Sequence, residues 1–279
     1  MITISKISIV IPSYNSHSTI KKCIESLLKQ KTNIDYEIIV VDSSDDKGVV
    51  EILGSFLGIK LIRSRKRLNA GQARNIGVRA SQGDIIAFID SDCIAPENWL
   101  EKIILTFKEH PEICGVFGVY TGGRTLLEKI SGGEFLEKSS TGFFQGFIEG
   151  NCAFKREVFE KGCLWSERTR SQYVQLAECI RSNIKKPVRW NPKLKVLHLG
   201  RVTWKKIVKS GISKFEEDMK NSILLARSLT LTFGLIVGCL LFLYSLFTMN
   251  FKYLLLSALP NIPLVYYTFK GCMLSPKYK

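Results

Sequence analysis

Two aspartates, Asp90 and Asp92, stand one residue apart directly after the apolar run Ile85, Ile86, Ala87, Phe88 and Ile89. A run of that length and composition suits a strand buried on both faces of a sheet. Carboxylates at the carboxyl end of a parallel strand lie where open α/β sheets place their ligands. Paired there, they suit a hard divalent cation, which would in turn hold a diphosphate. Three other stretches carry polar residues able to converge on the same crevice. "IVIPSYNS" presents Pro12, Ser13, Tyr14 and Asn15, and "IIVVDSSDD" presents Asp42 at a strand tip. "RLNAGQARNIG" supplies Asn69, Gly71, Arg74, Asn75 and Gly77, a turn entering a helix with a fixed cation inside it. Taken singly, each reads more readily as a helix cap or a strand-end ion pair.

The elements that would position these residues alternate up to about residue 120. Strand-like runs fall at "KISIVIP", "YEIIVVD", "IKLI", "DIIAFID" and "EICGVFGVY", separated by stretches of helical period. In the first helical stretch Ile20, Cys23, Ile24, Leu27 and Leu28 share one stripe, with Lys21, Lys22, Glu25 and Lys29 off it. Strand, helix, strand in repetition predicts an α/β fold with a mostly parallel, doubly wound, Rossmann-like sheet. From about 121 to 200 the periodicity weakens, and this region is expected to complete the same domain as the other wall of a cleft.

The chain has 279 residues and a formal charge of +15, spread along its length and not gathered into one arm. Such a chain is drawn to phosphates or an acidic membrane surface, and no nucleic-acid motif is visible. Eight cysteines are scattered with no pair at metal-site spacing, and most read as small buried hydrophobes. The start, "MITISKISIVIPSYN", lacks the features of a signal peptide, so the soluble part is expected in a reducing cytoplasm.

In this order the segments "SIVIPSYN", "EIIVVDSSDD", "NAGQARNIGVRASQGDIIAFIDSD", "PENWLEK" and "GNCAFKREVF" resemble the family 2 glycosyltransferases of the GT-A fold, over about residues 7 to 160. The resemblance implies that Pro12, Tyr14, Asn15 and Asp42 cradle a nucleotide, with Asp42 accepting from a base N–H. It places Arg74 near the base or diphosphate, Asp90 and Ser91 on the donor, and Asp92 and Asp90 on Mg²⁺ or Mn²⁺. His198, after a later strand-like run, is a further candidate metal ligand, because relatives can carry a histidine near this point. The donor implied is a UDP- or GDP-sugar. An acceptor oxygen would attack the anomeric carbon from the face opposite the diphosphate, inverting its configuration.

One part of the family pattern is missing. The expected catalytic base lies in a Glu-Asp pair at the start of a helix, and aligning on Leu176 and Ala177 puts Gln172 and Tyr173 there. Glu167, Glu178 or Glu149 is a candidate substitute. Alternatively the acceptor is a lipid phosphate, already ionised, or the protein binds a nucleotide sugar without turnover. A nucleotidyltransferase on a related sheet is a further alternative. The Q-x-x-R-W motif of processive synthases is absent, since Lys186 stands in the glutamine position before Arg189 and Trp190, which favours transfer of a single sugar.

Three regions are expected in total. Residues 1–203 form the glycosyltransferase domain, and 204–228 a basic amphipathic segment suited to a membrane interface. Residues 229–279 hold two apolar stretches and a short tail, which predict a transmembrane hairpin. Lys270, Lys277 and Lys279 would put both of its ends, and the catalytic domain, on the cytoplasmic side, with a lipid-linked acceptor in the membrane.

Overall fold

The computed structural model describes residues 4–123, 140–142, 148–167 and 172–200. The chain divides into two units, Met1–Arg201 and Val202–Lys279, and every described residue belongs to the first. The amphipathic segment and the hairpin expected in 204–279 lie outside the described residues. Among the described residues, no helix is long and apolar enough to cross a membrane.

A nine-stranded sheet runs through the first unit in the order β3-β2-β1-β4-β8-β6-β9-β5, with β7 also on β9. Its first half is parallel and built from β1 (Lys6–Ser13), β2 (Asp35–Asp42), β3 (Ile59–Arg63) and β4 (Ile85–Ile89). These are the runs read from the sequence, and four of β1's residues and all of β4's are apolar because helices cover both faces. α1 (Ile20–Leu28) buries Ile20, Cys23, Ile24 and Leu27 as its stripe predicts. Leu28, placed on the same stripe, is instead 45% exposed at the helix end. α2 (Gly48–Leu53) and α3 (Ala70–Ala80) complete the crossovers.

The second half corrects the expectation of a mostly parallel sheet. β5 (Cys93–Ile94), α4 (Trp99–Glu109), β6 (Gly115–Thr121), β7 (Ser140–Gly142), β8 (Asn151–Lys155), α5 (Arg156–Glu160), α6 (Tyr173–Cys179) and β9 (Val188–His198) follow in order. β8 is antiparallel to β4 and β6, β9 is parallel to β6, and β5 and β7 are antiparallel to β9. The register slips between Phe117 and Val119, where Gly118 packs directly on the Leu194 carbonyl. Asn151 serves the carbonyls there: its amide donates to Val119 O (3.0 Å) and Leu194 O (2.9 Å), while Trp99 Nε1 donates to its oxygen (2.9 Å). A buried amide with three satisfied bonds thus joins β8, β6, β9 and α4.

The core lies on both sides of this sheet. Ile7, Ile9 and Ile11 point to α1 and α4, and Val10, Ile86 and Phe88 to an aromatic cluster around Phe154, Phe159 and Trp165. Cys163 and Cys179 form a disulfide, which corrects the reading of these two as plain hydrophobes; the fold brings the segment after α5 against the end of α6. Cys23, Cys93, Cys114 and Cys152 are free and buried, as expected.

Candidate active site

The chain reverses direction across the sheet between β1 and β4, which are hydrogen-bonded neighbours although β2 and β3 come between them in sequence. Such a switch point opens a crevice at the carboxyl ends of the strands. Ser13, Asp42 and Asp90 all stand at that edge.

On the β1–β2 side, Tyr14 and Asn15 reach across to the loop after β2. Tyr14 Oη donates to Asp45 Oδ2 (2.8 Å) and Asn15 Nδ2 to the same oxygen (2.8 Å), while Asp45 N donates to Asn15 Oδ1 (3.0 Å). Asn15 takes φ 50°, a left-handed conformation that asparagine tolerates. The Arg67 guanidinium lies 4.3 Å from the Tyr14 ring centre. Asp42 is fully buried and receives Ser13 Oγ (2.9 Å), Ser44 Oγ (2.6 Å), Ser44 N (3.3 Å) and Arg63 Nη1 (2.6 Å). A carboxylate has about four acceptor positions, so a nucleotide base can reach Asp42 only by displacing one of these donors. Pro12, within β1 and not at its end, pairs in register with Val41.

Arg74 is set by the placement of its helix. Asn69 and Gln72 form a capping box at the start of α3, and Asn69 Nδ2 donates to Glu167 O (2.6 Å). Asn75 Nδ2 donates to Trp165 O, and Trp165 N to Asn75 Oδ1, each at 3.0 Å. Gly71 and Gly77 have no room for a side chain, because Ser166 O and Val10 Cγ1 occupy those places. α3 therefore lies tightly between β1 and residues 165–167, and Arg74 is only 2% exposed.

Its guanidinium gathers the centre of the site. Arg74 Nη2 donates to Asp90 Oδ1 (2.8 Å), and Nη1 to both Glu149 Oε2 (2.9 Å) and Gln172 Oε1 (3.0 Å), with the Trp165 ring 4.9 Å away. Tyr120 Oη donates to Asp90 Oδ2 (2.7 Å) and the Tyr120 ring stacks on His198 at 4.7 Å. Gly150 is required beside them, since a Cβ there would meet the Asp90 carboxylate and the Tyr120 hydroxyl. Burial, and next the charge of Asp90, hold the Tyr120 phenol well above its ordinary pKa, so it stays a donor.

Asp92 and His198 meet because β5 pairs with the end of β9, Cys93 opposite His198. Asp92 Oδ2 and His198 Nε2 are 3.4 Å apart, and Leu199 N donates to Asp92 O (2.8 Å). Two ligands at about 2.1 Å from one cation stand about 3 Å apart at right angles, so this pair fits a shared divalent ion. Cys93 completes a three-residue cluster, but burial, then Asp90 and Asp92, keep its thiol protonated. Burial opposes charging His198; the hydrogen bond and charge of Asp92, with Asp90 behind, outweigh it and raise its pKa.

Of the three candidate bases, only Glu149 joins this constellation. Glu178 is exposed on the face of α6 opposite Tyr173, Leu176 and Ile180, and the Glu167 side chain is exposed while its carbonyl caps Asn69. Ser91 sits in the turn closed by Cys93 N donating to Asp90 O (3.0 Å). Tyr120, Trp165, Arg63 and Asp45 were not legible as site residues; a tyrosine ending the run "VFGVY" was the only hint of the first.

An α/β domain whose switch-point edge gathers an arginine, two aspartates, a tyrosine and a histidine is the class this geometry defines. The sequence model of Glycosyl transferase family 2 matches residues 8–163, and the chain belongs to that family. An uncharacterized glycosyltransferase of Haemophilus influenzae is 38% identical over 113 residues, 40% of this chain and 37% of the relative. Glycosyltransferase AglE of Haloferax volcanii is 30% identical over 141 residues, 49% and 44% of the two chains. The poly(ribitol-phosphate) beta-N-acetylglucosaminyltransferase TarP of Staphylococcus aureus is 30% identical over 133 residues, 45% and 40%. The chain thus spans less than half the length of these curated relatives. Two crystal structures of S. aureus TarS 1–349, one of them in complex with UDP-GlcNAc, share the fold at TM-score 0.54 and 18% identity. They cover 68% and 71% of this chain and 59% of TarS.

Proposed function

We propose that the chain is an inverting glycosyltransferase that moves one sugar from a UDP- or GDP-sugar to a lipid-linked or lipid-phosphate acceptor in polysaccharide or glycolipid assembly. The observation that carries this reading is the continuous array Arg74–Asp90–Tyr120–His198–Asp92 at the switch-point edge. Asp92 and His198 would hold Mg²⁺ or Mn²⁺, which supplies charge neutralisation for the departing diphosphate. Asp90, held from two sides by Arg74 and Tyr120, would meet the ribose or the cation, with Ser91 on the donor beside it. Tyr14 and Asn15, braced on Asp45, and Asp42 behind them would form the wall against the nucleotide. The basic amphipathic segment 204–228 and the hairpin of 229–279 would anchor the protein with its catalytic domain at the cytoplasmic face.

The test is protection against thermal unfolding by a panel of UDP- and GDP-sugars, with and without Mn²⁺. A donor at a hundred times its Kd stabilises the native state by about 2.7 kcal/mol. One nucleotide class is expected to protect, dependent on Mn²⁺ and lost in Asp92→Ala. Protection by no donor overturns the reading. A second reading, donor binding without turnover, is favoured by Gln172 and Tyr173 in place of the acidic pair, and would give protection without release of nucleoside diphosphate.

A further inference from the structure

The sequence leaves the acceptor side of the site without its acid, since Gln172 and Tyr173 occupy the two positions. The fold, however, brings another carboxylate to the same spot. β8 runs antiparallel to β4 with Asn151 opposite Ile89, and Asp90 N approaches Gly150 O at 3.4 Å. Residues 148–150 therefore extend beyond the sheet edge alongside the segment that carries Asp90 and Asp92. From there Glu149 reaches α6: Tyr173 N donates to Glu149 Oε1 at 3.1 Å, and Arg74 Nη1 is shared between Glu149 Oε2 and Gln172 Oε1. The Glu149 carboxylate is within one hydrogen bond of Tyr173 and within one shared donor of Gln172.

We infer that Glu149 supplies the carboxylate base that Gln172 and Tyr173 lack, and that the acceptor nucleophile is accordingly a hydroxyl group and not an ionised phosphate. This rests on the donor reading given above. Among the described residues, each Glu149 oxygen accepts one hydrogen bond, which leaves a lone pair on each for an acceptor O–H. The side chain is 22% exposed, so an acceptor can approach it. Around it stand Arg74 from α3, Asp90 after β4, the Tyr173 N–H from α6 and the Cys152 thiol from β8, whose Sγ donates to Glu149 O (3.3 Å). Burial raises the carboxyl pKa and Asp90 adds to it; Arg74 and the Tyr173 N–H pull down without cancelling the rise. A carboxylate tuned upward toward neutrality is a stronger base.

In the step itself the acceptor hydroxyl gives its proton to Glu149 as the bond from its oxygen to the anomeric carbon forms. The bond from that carbon to the diphosphate oxygen breaks, and its electron pair leaves with the nucleoside diphosphate. Glu149 then returns the proton to water.

Water and azide, with UDP-GlcNAc and Mn²⁺, separate this role from a structural one, because water must lose a proton and azide need not. In Glu149→Gln, which keeps the shape of the side chain, water-dependent UDP release is expected to fall about 10²- to 10⁴-fold. Azide-dependent release, with formation of the inverted glycosyl azide, is expected to stay within the same order of magnitude. Adding Tyr173→Asp to Glu149→Gln is expected to restore part of the water reaction. An equal fall with both nucleophiles, or no fall with either, overturns the inference. A wild-type chain protected by UDP-GlcNAc that releases UDP with neither nucleophile also overturns it, in favour of a non-catalytic binder. Absence of donor protection in the wild type is a separate readout and removes the donor reading on which the inference stands.

Discussion

A single missing Cβ leaves room for the Asp90–Tyr120 contact. At Gly150 a methyl group would collide with the Asp90 carboxylate and the Tyr120 hydroxyl, so Gly150→Ala is expected to remove Mn²⁺-dependent donor protection while leaving a folded chain, as read by thermal unfolding with and without Mn²⁺. His198 gives a pH signature. Its folded pKa is raised, so its pairing with Asp92 stabilises the metal-free protein fully below about 6.5, its value when unfolded. That contribution is lost as pH rises through the folded value. The metal-free wild type should show this extra decline in Tm as the pH rises above about 6.5, relative to His198→Gln. Mn²⁺ is expected to follow the opposite trend if His198 is a ligand, binding better as the imidazole loses its proton. At this scale the strand-end aspartates, Arg74 and the motif order were legible because each belongs to a contiguous stretch. Tyr120 and the Glu149–Tyr173 contact were not, because they are joined only through the sheet.

Among the elements, α3 is the one whose position the site depends on most. Asn75 exchanges two buried hydrogen bonds with the Trp165 backbone, and Asn75→Ala removes both. The expected cost is about 1–3 kcal/mol for each group left unsatisfied, measured by urea unfolding. The Cys163–Cys179 bond closes a loop with a sequence separation of 16 that contains Gln172 and Tyr173. Replacing both cysteines by alanine is expected to cost the oxidised protein about 3 kcal/mol by loop-closure entropy, and to change little in a reducing medium, where the bond is open. The parallel elements were readable because buried parallel strands are continuous apolar runs. The antiparallel half was not, since β5 has two residues and β9 alternates exposed lysines with buried apolar residues around Pro192. Its partners are strands distant in sequence, which periodicity cannot name.

For the whole molecule, the +15 charge and the apolar stretches of 229–279 predict two different modes of membrane attachment. Charge attraction alone is screened by salt, whereas an inserted hairpin is not. The full chain is expected to remain with phosphatidylglycerol vesicles through a high-salt wash; release by salt would argue for surface attachment only. Within the first unit, the guanidinium of Arg74 has a consequence for the order of events. One cation serves both Asp90, proposed for the donor side, and Glu149, proposed for the acceptor side. Any ligand that draws Asp90 toward itself leaves more of that cation to Glu149, and linkage makes the influence mutual. If Asp90 and Glu149 face donor and acceptor as proposed, the two substrates are expected to bind as coupled and not independent guests, each shifting the proton affinity of the wall opposite it.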